Sequence, residues 1–237
     1  MTDLKNMNLF DDIIDNPQQN KMTVYHGSDK IIQVPRYGMG NIYNDYGQGF
    51  YCTEDKHEAD LWASNKGIGY TNKYLLDLSD LKVLYLEKDN ILQWASILAT
   101  NRTLVSEDGL TELTFRGKMN LNKLLTKYGN INLKDYDIVI GYRADDSYFS
   151  FMKAFFNGDL TLQYLKQAME LGKLGYQVAV ISRKAFKNLH YISSESINNP
   201  KLTLEYRNRD KIARNTYKDF EKKSYYCKSG FINEYID

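Results

Sequence analysis

Two short apolar runs constrain this chain more than any other feature. Asp137-Ile-Val-Ile-Gly141 and Tyr176-Gln-Val-Ala-Val-Ile-Ser182 are too short for core helices and rich in β-branched residues, so both read as core strands, the first of the fully buried kind. Met22-Thr-Val-Tyr25 reads as a further strand ending at His26-Gly27-Ser28, with a second extended segment around Phe50-Tyr51-Cys52. Tyr74-Leu-Leu-Asp-Leu78 and Leu81-Lys-Val-Leu-Tyr-Leu86 read as two strands around a Ser-Asp turn. Helical spacing recurs at Ile91, Trp94, Ala95 and Leu98, and again at Leu162, Leu165, Ala168 and Met169. Strands and helices mix without strict βαβ alternation. The expected class is therefore α+β, a split or antiparallel β-sheet core with flanking helices.

The stretch Gly47-Gln-Gly-Phe-Tyr-Cys52 invites comparison with a dinucleotide-binding loop, but the third glycine of that motif is absent. Aromatic residues follow the glycines directly, which favours a short strand over a helix start, so the loop serves something other than cradling a pyrophosphate on bare N–H groups. Thr53 then offers an N-cap, with Glu54 and Asp55 in the first turn of a helix that puts Ala59, Trp62 and Ala63 on one face.

With 237 residues, 43% of them hydrophobic, the chain can bury one good core, and we expect one main domain over 22–200. Residues 1–21 read as a polar segment with a short amphipathic turn at Leu9, Phe10, Ile13 and Ile14; residues 201–237 read as a charged helical tail added to the core. The formal net charge of +1 gives no global field toward nucleic acid or membrane. Two distant cysteines, no secretory core and no bilayer-length apolar run make cytoplasmic, soluble and reduced the expectation. Three histidines without metal-ligand spacing give no basis for a metal site. The 20 tyrosines suit either a rim of stacking surfaces or a strand-rich core with wet phenol tips.

Three polar residues fall at strand ends, where side chains reach a cleft: His26, Tyr51 and Gln177. Taken singly, each has an ordinary structural explanation. Together with Tyr25-His-Gly-Ser28, Asp45-Tyr-Gly-Gln-Gly-Phe-Tyr51, Trp94 with Asn101-Arg102, Ala144-Asp-Asp146 and Gln177-Val-Ala-Val-Ile181, they stand in an order that resembles the ADP-ribosyltransferase superfamily. More closely, the pattern is similar to its bacterial domain-of-unknown-function 3990-like branch, over roughly residues 23 to 195.

The resemblance implies an ADP-ribosyltransferase-like core, NAD as co-substrate with no metal, and transfer of ADP-ribose to a protein or nucleic acid with release of nicotinamide. It assigns catalysis to His26, Tyr51 and Gln177, and NAD binding to His26, Gly27, Ser28, Gly49, Phe50 and Tyr51. His26 would hydrogen-bond ribose hydroxyls, the Gly27 backbone would grip the carboxamide, and Tyr51 would stack on the nicotinamide. The residue types suit these roles: imidazole donates and accepts, glycine admits a ligand to the backbone, and phenol has an apolar face and a polar tip. By analogy the setting is a toxin or phage-defence effector restrained by an antitoxin.

Gln177 stands where many members of the superfamily carry a glutamate; an amide orients a ribose hydroxyl but cannot supply a negative charge. That feature keeps open a binding module for NAD, ADP-ribose or nucleic acid, and a third reading is an NAD glycohydrolase. Asp145 and Asp146 either position substrate or cap the next helix. Cys52 reads as a buried small hydrophobe, and His57 and His190 as surface or packing residues. The tail interleaves Tyr206, Tyr217 and Phe220 with basic residues, as a nucleic-acid grip would, but Glu205, Asp210, Asp219 and Glu221 favour a solvated helix.

Overall fold

The computed structural model describes residues 20–65, 67–102, 113–144, 146–169 and 175–237. The expected amphipathic turn at Leu9–Ile14, Asp145 and the side chain of Asp146 lie outside them. The strands are β1 (Lys21–Ser28), β2 (Phe50–Thr53), β3 (Gly69–Asp77), β4 (Val83–Leu86), β5 (Ile138–Tyr142), β6 (Tyr176–Val180) and β7 (Leu189–Ile197). The helices are α1 (Lys56–Ser64), α2 (Ile91–Asn101), α3 (Phe115–Tyr128), α4 (Asp146–Asn157), α5 (Leu162–Met169), α6 (Arg183–Lys187), α7 (Pro200–Tyr225) and α8 (Asn233–Ile236).

The class is α+β. All seven strands join one sheet in the order β4-β5-β6-β2-β1-β3-β7. Every pairing is antiparallel except β4 with β5, so the sheet is mixed, where a split or wholly antiparallel one was expected. The reason lies between β3 and β4: the residues around the Ser-Asp turn do not close a hairpin. Asp80 adopts a φ of 60° and the chain crosses from β3, deep in one half, to β4 at the far edge. The sheet is also narrowest at its middle. β1 and β2 meet at a single register pair, Tyr25↔Thr53, whereas β1 and β3 run together over eight.

The period-2 alternation of the central strands divides the core between two faces. Val139 and Ala179 enter a large cluster with Trp94 and Leu98 of α2, Leu121 of α3, and Phe151 and Phe155 of α4. Their neighbours Ile138, Ile140, Val178 and Val180 point the other way, against Val24, Cys52, Tyr74 and Leu76. β5 is buried at all five positions, as its composition required. Cys52 is free and its thiol is pushed up by burial, which leaves it an inert packing residue.

Helix α1 starts later than the sequence suggested. Thr53 is still in the sheet, paired with both Tyr25 and Gln177, so it cannot also turn into a helix. Asp55 is the N-cap, its carboxylate accepting from His57 N–H at 2.8 Å, and Thr53 Oγ1 accepts from Asp55 N–H at 3.2 Å. Ala59 and Ala63 are buried as expected, and their backbone presses on Gly27: a Cβ there would lie 2.1 Å from the Ala59 carbonyl oxygen. Gly27 thus sets how closely α1 can approach the sheet.

The long helix α7 lies along α1. Arg209 on α7 makes a double contact with Glu58 on α1, at 2.7 and 2.9 Å, and His57 meets Glu205 at 2.8 Å. Thr203 Oγ1 donates to the Ser64 carbonyl at the end of α1. Both Glu58 and Arg209 are buried, at 3% and 9% exposure. Among the described residues no helix is long and apolar enough to cross a membrane.

Candidate functional site

Where β1 and β2 part beyond Tyr25↔Thr53, a cleft of about 1070 Å³ opens. Its floor is the strand ends, one wall is α1 with Tyr206 of α7, and the other is the loop over residues 29–49. His26, Gly27, Gly49, Phe50, Tyr51 and Gln177 all line it. The topology explains the convergence: β6, β2 and β1 are adjacent strands, so residues 26, 51 and 177 come together although they are far apart in the chain. Ser28 stands apart from the lining; its hydroxyl meets Asp29 Oδ1 at 3.3 Å and accepts from Lys30 N–H at 3.4 Å.

His26 bridges the parting strands. Its Nδ1 lies 2.6 Å from the Tyr51 carbonyl, and its ring packs on Phe50 with centroids 4.3 Å apart. A carbonyl only accepts, so Nδ1 must carry the proton. Burial holds the imidazole below its ordinary pKa and Arg143 adds to this, outweighing the Tyr51 bond that favours the cation. The neutral ring therefore keeps Nε2 as an acceptor, suited to a hydroxyl.

Tyr51 is pinned at its tip. Its hydroxyl donates to the Gly47 carbonyl at 2.7 Å and accepts from Tyr46 N–H at 2.9 Å, and Tyr46 stacks nearly parallel to it. Burial pushes the phenol far up, so it stays protonated and serves as a fixed aromatic wall. Gly47 makes this bond geometry accessible by adopting a φ of 76°, a conformation that side chains rarely take. The glycines thus shape the loop that aims the ring, and β2 begins at Phe50 in place of a helix.

Gln177 is 6% exposed, and its Nε2 donates to Asp45 Oδ2 at 2.7 Å and to the Tyr142 carbonyl at 3.3 Å. Asp45 is buried too, paired with Arg102 at 3.0 Å and accepting from Ala144 N–H at 3.0 Å. Burial pushes its carboxyl up, against the pull of Arg102 and of these hydrogen bonds. The segments of Asp45, Arg102 and Ala144 were noted in sequence only as parts of a pattern; the structure joins them into one network under Gln177.

Sequence reading missed three further contributors. Arg143 lies over the Trp62 ring at 4.5 Å and reaches Glu58 at 3.3 Å. Tyr206 meets Trp62 edge-on and forms part of the cleft wall. Asn72, fully buried, ties down the start of the 29–49 loop: its Oδ1 accepts from Ile32 N–H at 2.9 Å, and its Nδ2 donates to the Lys30 carbonyl at 3.2 Å. Among the described residues the lining carries Lys30, Arg36, Arg102 and Arg143 against one acid, Asp45. Arg102 is paired with Asp45 and Arg143 with Glu58, so Lys30 and Arg36 carry the excess positive charge of this lining, and the arrangement can hold an anionic, hydroxyl-rich ligand with an aromatic part.

Fold and cleft together define an α+β protein with a cleft at the parting of two central strands. A family model described as "Protein of unknown function (DUF3990)" matches residues 22–191, and the chain belongs to that family. The match ends before α7, which supplies Tyr206 and Arg209. No curated protein and no solved structure matches the chain.

Proposed function

We propose that the protein is an NAD-dependent ADP-ribosyltransferase, moving ADP-ribose to a macromolecule and releasing nicotinamide, in the setting of a bacterial or phage toxin or defence effector. The observation that carries the reading is that His26, Tyr51 and Gln177, from three adjacent strands, line one cleft that also carries Lys30 and Arg36. Arg and Lys side chains suit the pyrophosphate, the fixed Tyr51 ring suits the nicotinamide, and His26 Nε2 and Gln177 Oε1 suit the hydroxyls of the intervening ribose. The glycosidic bond from ribose C1′ to the pyridinium nitrogen breaks, its electron pair neutralising the departing nicotinamide. The acceptor's nucleophilic atom then bonds to C1′ and gives up its proton. Aromatic and dipolar groups already in position lower the cost of the oxocarbenium-like sugar.

The amide at 177 favours one second reading, a module that binds NAD or ADP-ribose without turnover. NAD labelled on its adenylate is incubated with the protein and a cell lysate divided into protease-treated and nuclease-treated halves, with His26→Ala and Tyr51→Ala alongside. Label lost only to nuclease marks a nucleic-acid acceptor, and label lost only to protease a protein acceptor. Nicotinamide release without labelled macromolecule marks a glycohydrolase. NAD binding without release of nicotinamide overturns the transfer reading in favour of the module.

A further inference from the structure

The Asp45 carboxylate is buried in the cleft wall and has no part in the chemistry above. Its Oδ2 accepts from Gln177 Nε2 and from Ala144 N–H, and its Oδ1 accepts from Arg102 Nη1. Asn101 Nδ2 donates to the Asp45 carbonyl at 2.9 Å. Donors from α2, from the residue two beyond β5 and from β6 thus converge on one residue of the 29–49 loop. A buried carboxylate needs such partners to offset its lost hydration, and here they also fix where each of its oxygens lies.

The consequence falls on Gln177. Both partners of its Nε2, a carboxylate and a main-chain carbonyl, are acceptors only. A flipped amide would set oxygen against oxygen twice, so one orientation is imposed and Oε1 is left as the atom for a ligand. We propose that Asp45 is a positioning residue for ADP-ribosyl transfer: it locks the Gln177 amide so that Oε1 accepts the hydrogen bond of a ribose hydroxyl, and it is the reason an amide occupies position 177. The inference rests on the transferase reading. A glutamate in the same place would bring a second carboxylate against Asp45 and against the Tyr142 carbonyl. Two acids at that distance share a proton, so the fold favours the amide. Gln177 is then the residue this network requires, and not a degraded glutamate.

The test uses the full chain with Asp45→Asn, Gln177→Glu and the double substitution, reading nicotinamide release from NAD as kcat and KM across pH 5–9, with NAD affinity by calorimetry. The ionisable groups that face the pair are Arg102 at the end of α2, Tyr46 and Tyr51 with phenols held protonated by burial, and across the cleft Arg143 and His26. Asp45→Asn removes the shorter of the two bonds that fix the amide and leaves only the Tyr142 carbonyl at 3.3 Å, so the lock loosens and we expect kcat to fall on the order of 10- to 100-fold, the scale of a misplaced orienting group, with NAD affinity changed less. In Gln177→Glu the shared proton adds an ionisation to the pH profile of kcat, with activity rising as that proton leaves. In the double variant the same ionisation moves to lower pH, and activity recovers relative to Asp45→Asn.

A purely structural role predicts a lower Tm, an unchanged kcat per folded molecule and a double variant worse than either single one. That pattern, or Asp45→Asn with wild-type kcat, overturns the proposal. If Asp45→Asn does not fold, Gln177→Glu decides alone: a profile superimposable on the wild type overturns it. A wild-type protein that neither binds NAD nor releases nicotinamide overturns the transferase reading itself, and this inference with it; that outcome is recognised without any variant.

Discussion

Replacing Glu58 with Gln tests whether the long helix α7 is part of the machinery that holds the site. The Glu58 carboxylate is 3% exposed and takes three hydrogen bonds, two from Arg209 on α7 and one from Arg143 beside the cleft. Burial pushes its pKa up, and only the two guanidiniums pull it back. Glutamine keeps the shape but leaves the buried Arg209 guanidinium facing a neutral amide. Removing one partner of a buried ion pair costs about 3–5 kcal/mol, because the remaining charge stays desolvated. A chain of this length loses roughly 2–4 °C of Tm per kcal/mol, so the melt should fall by about 6–20 °C. Thermal unfolding followed by circular dichroism gives the number, and a urea midpoint checks it. Substituting both Glu58 and Arg209 by Met removes that pair and leaves Arg143, stacked on Trp62, as the one cation that loses this carboxylate, and should cost less than the sum of the single changes by about 1 kcal/mol or more. A Glu58→Gln protein melting within about 1 °C of wild type, on the same scale of Tm per kcal/mol, would refute the reasoning: it would mean that water reaches both arginines and α7 only rests on the domain.

Further substitutions probe single links of the same structure. Tyr51→Phe strands the Gly47 carbonyl and the Tyr46 N–H and should cost about 1–3 kcal/mol; because the ring remains, NAD affinity by calorimetry should fall less than in Tyr51→Ala. Gly27→Ala puts a methyl 2.1 Å from a backbone carbonyl of α1 that cannot swing aside; a loss of at least about 1–3 kcal/mol in denaturant unfolding is expected, together with weaker NAD binding. Asp137 gives an acid-side prediction. Burial pushes its carboxyl up, but hydrogen bonds from Lys82 N–H and Ser182 Oγ, with Lys184 and Lys82 nearby, win and hold it below the ordinary value of 3.8. The folded state binds that proton less readily than the unfolded chain, so the stabilisation is present above pH 3.8 and is lost as pH falls through the folded value. Asp137→Asn should flatten that limb of a stability–pH curve; an unchanged limb would assign it to other groups.

What could be read in the sequence follows from how far apart interacting residues lie. β5 and β6 declared themselves because burial on both faces demands uninterrupted apolar residues, and β2 because aromatic residues follow its glycines. His26, Tyr51 and Gln177 came from a pattern, and the sheet order supplies the physical reason they share a cleft. β7 went unseen: as an edge strand with most side chains at least partly exposed, Leu-His-Tyr-Ile-Ser-Ser-Glu-Ser-Ile carries little apolar alternation for a reader to find. Of the two meanings offered for the tyrosines, the core one fits Tyr46 and Tyr74 except at their tips, which are not wet: both rings are buried and their hydroxyls donate hydrogen bonds to the carbonyls of Tyr142 and Ile32.

The charged residues were the hardest to place, and for one physical reason. A run such as Arg207-Asn-Arg-Asp-Lys-Ile-Ala-Arg214 states what burying each charge would cost, and the default is then a solvated helix face. Whether a partner offsets that cost depends on residues that sequence separation hides: 151 positions between Arg209 and Glu58, 132 between Gln177 and Asp45, 57 between Arg102 and Asp45. Local patterns reach about one helical turn or one hairpin. These pairs exist only after the sheet has brought β1, β2 and β6 side by side and α7 has folded back over α1. The groups that aim the cleft's amide and hold its wall are thus the ones that neither composition nor periodicity can expose, because their chemistry is set by closure of the fold.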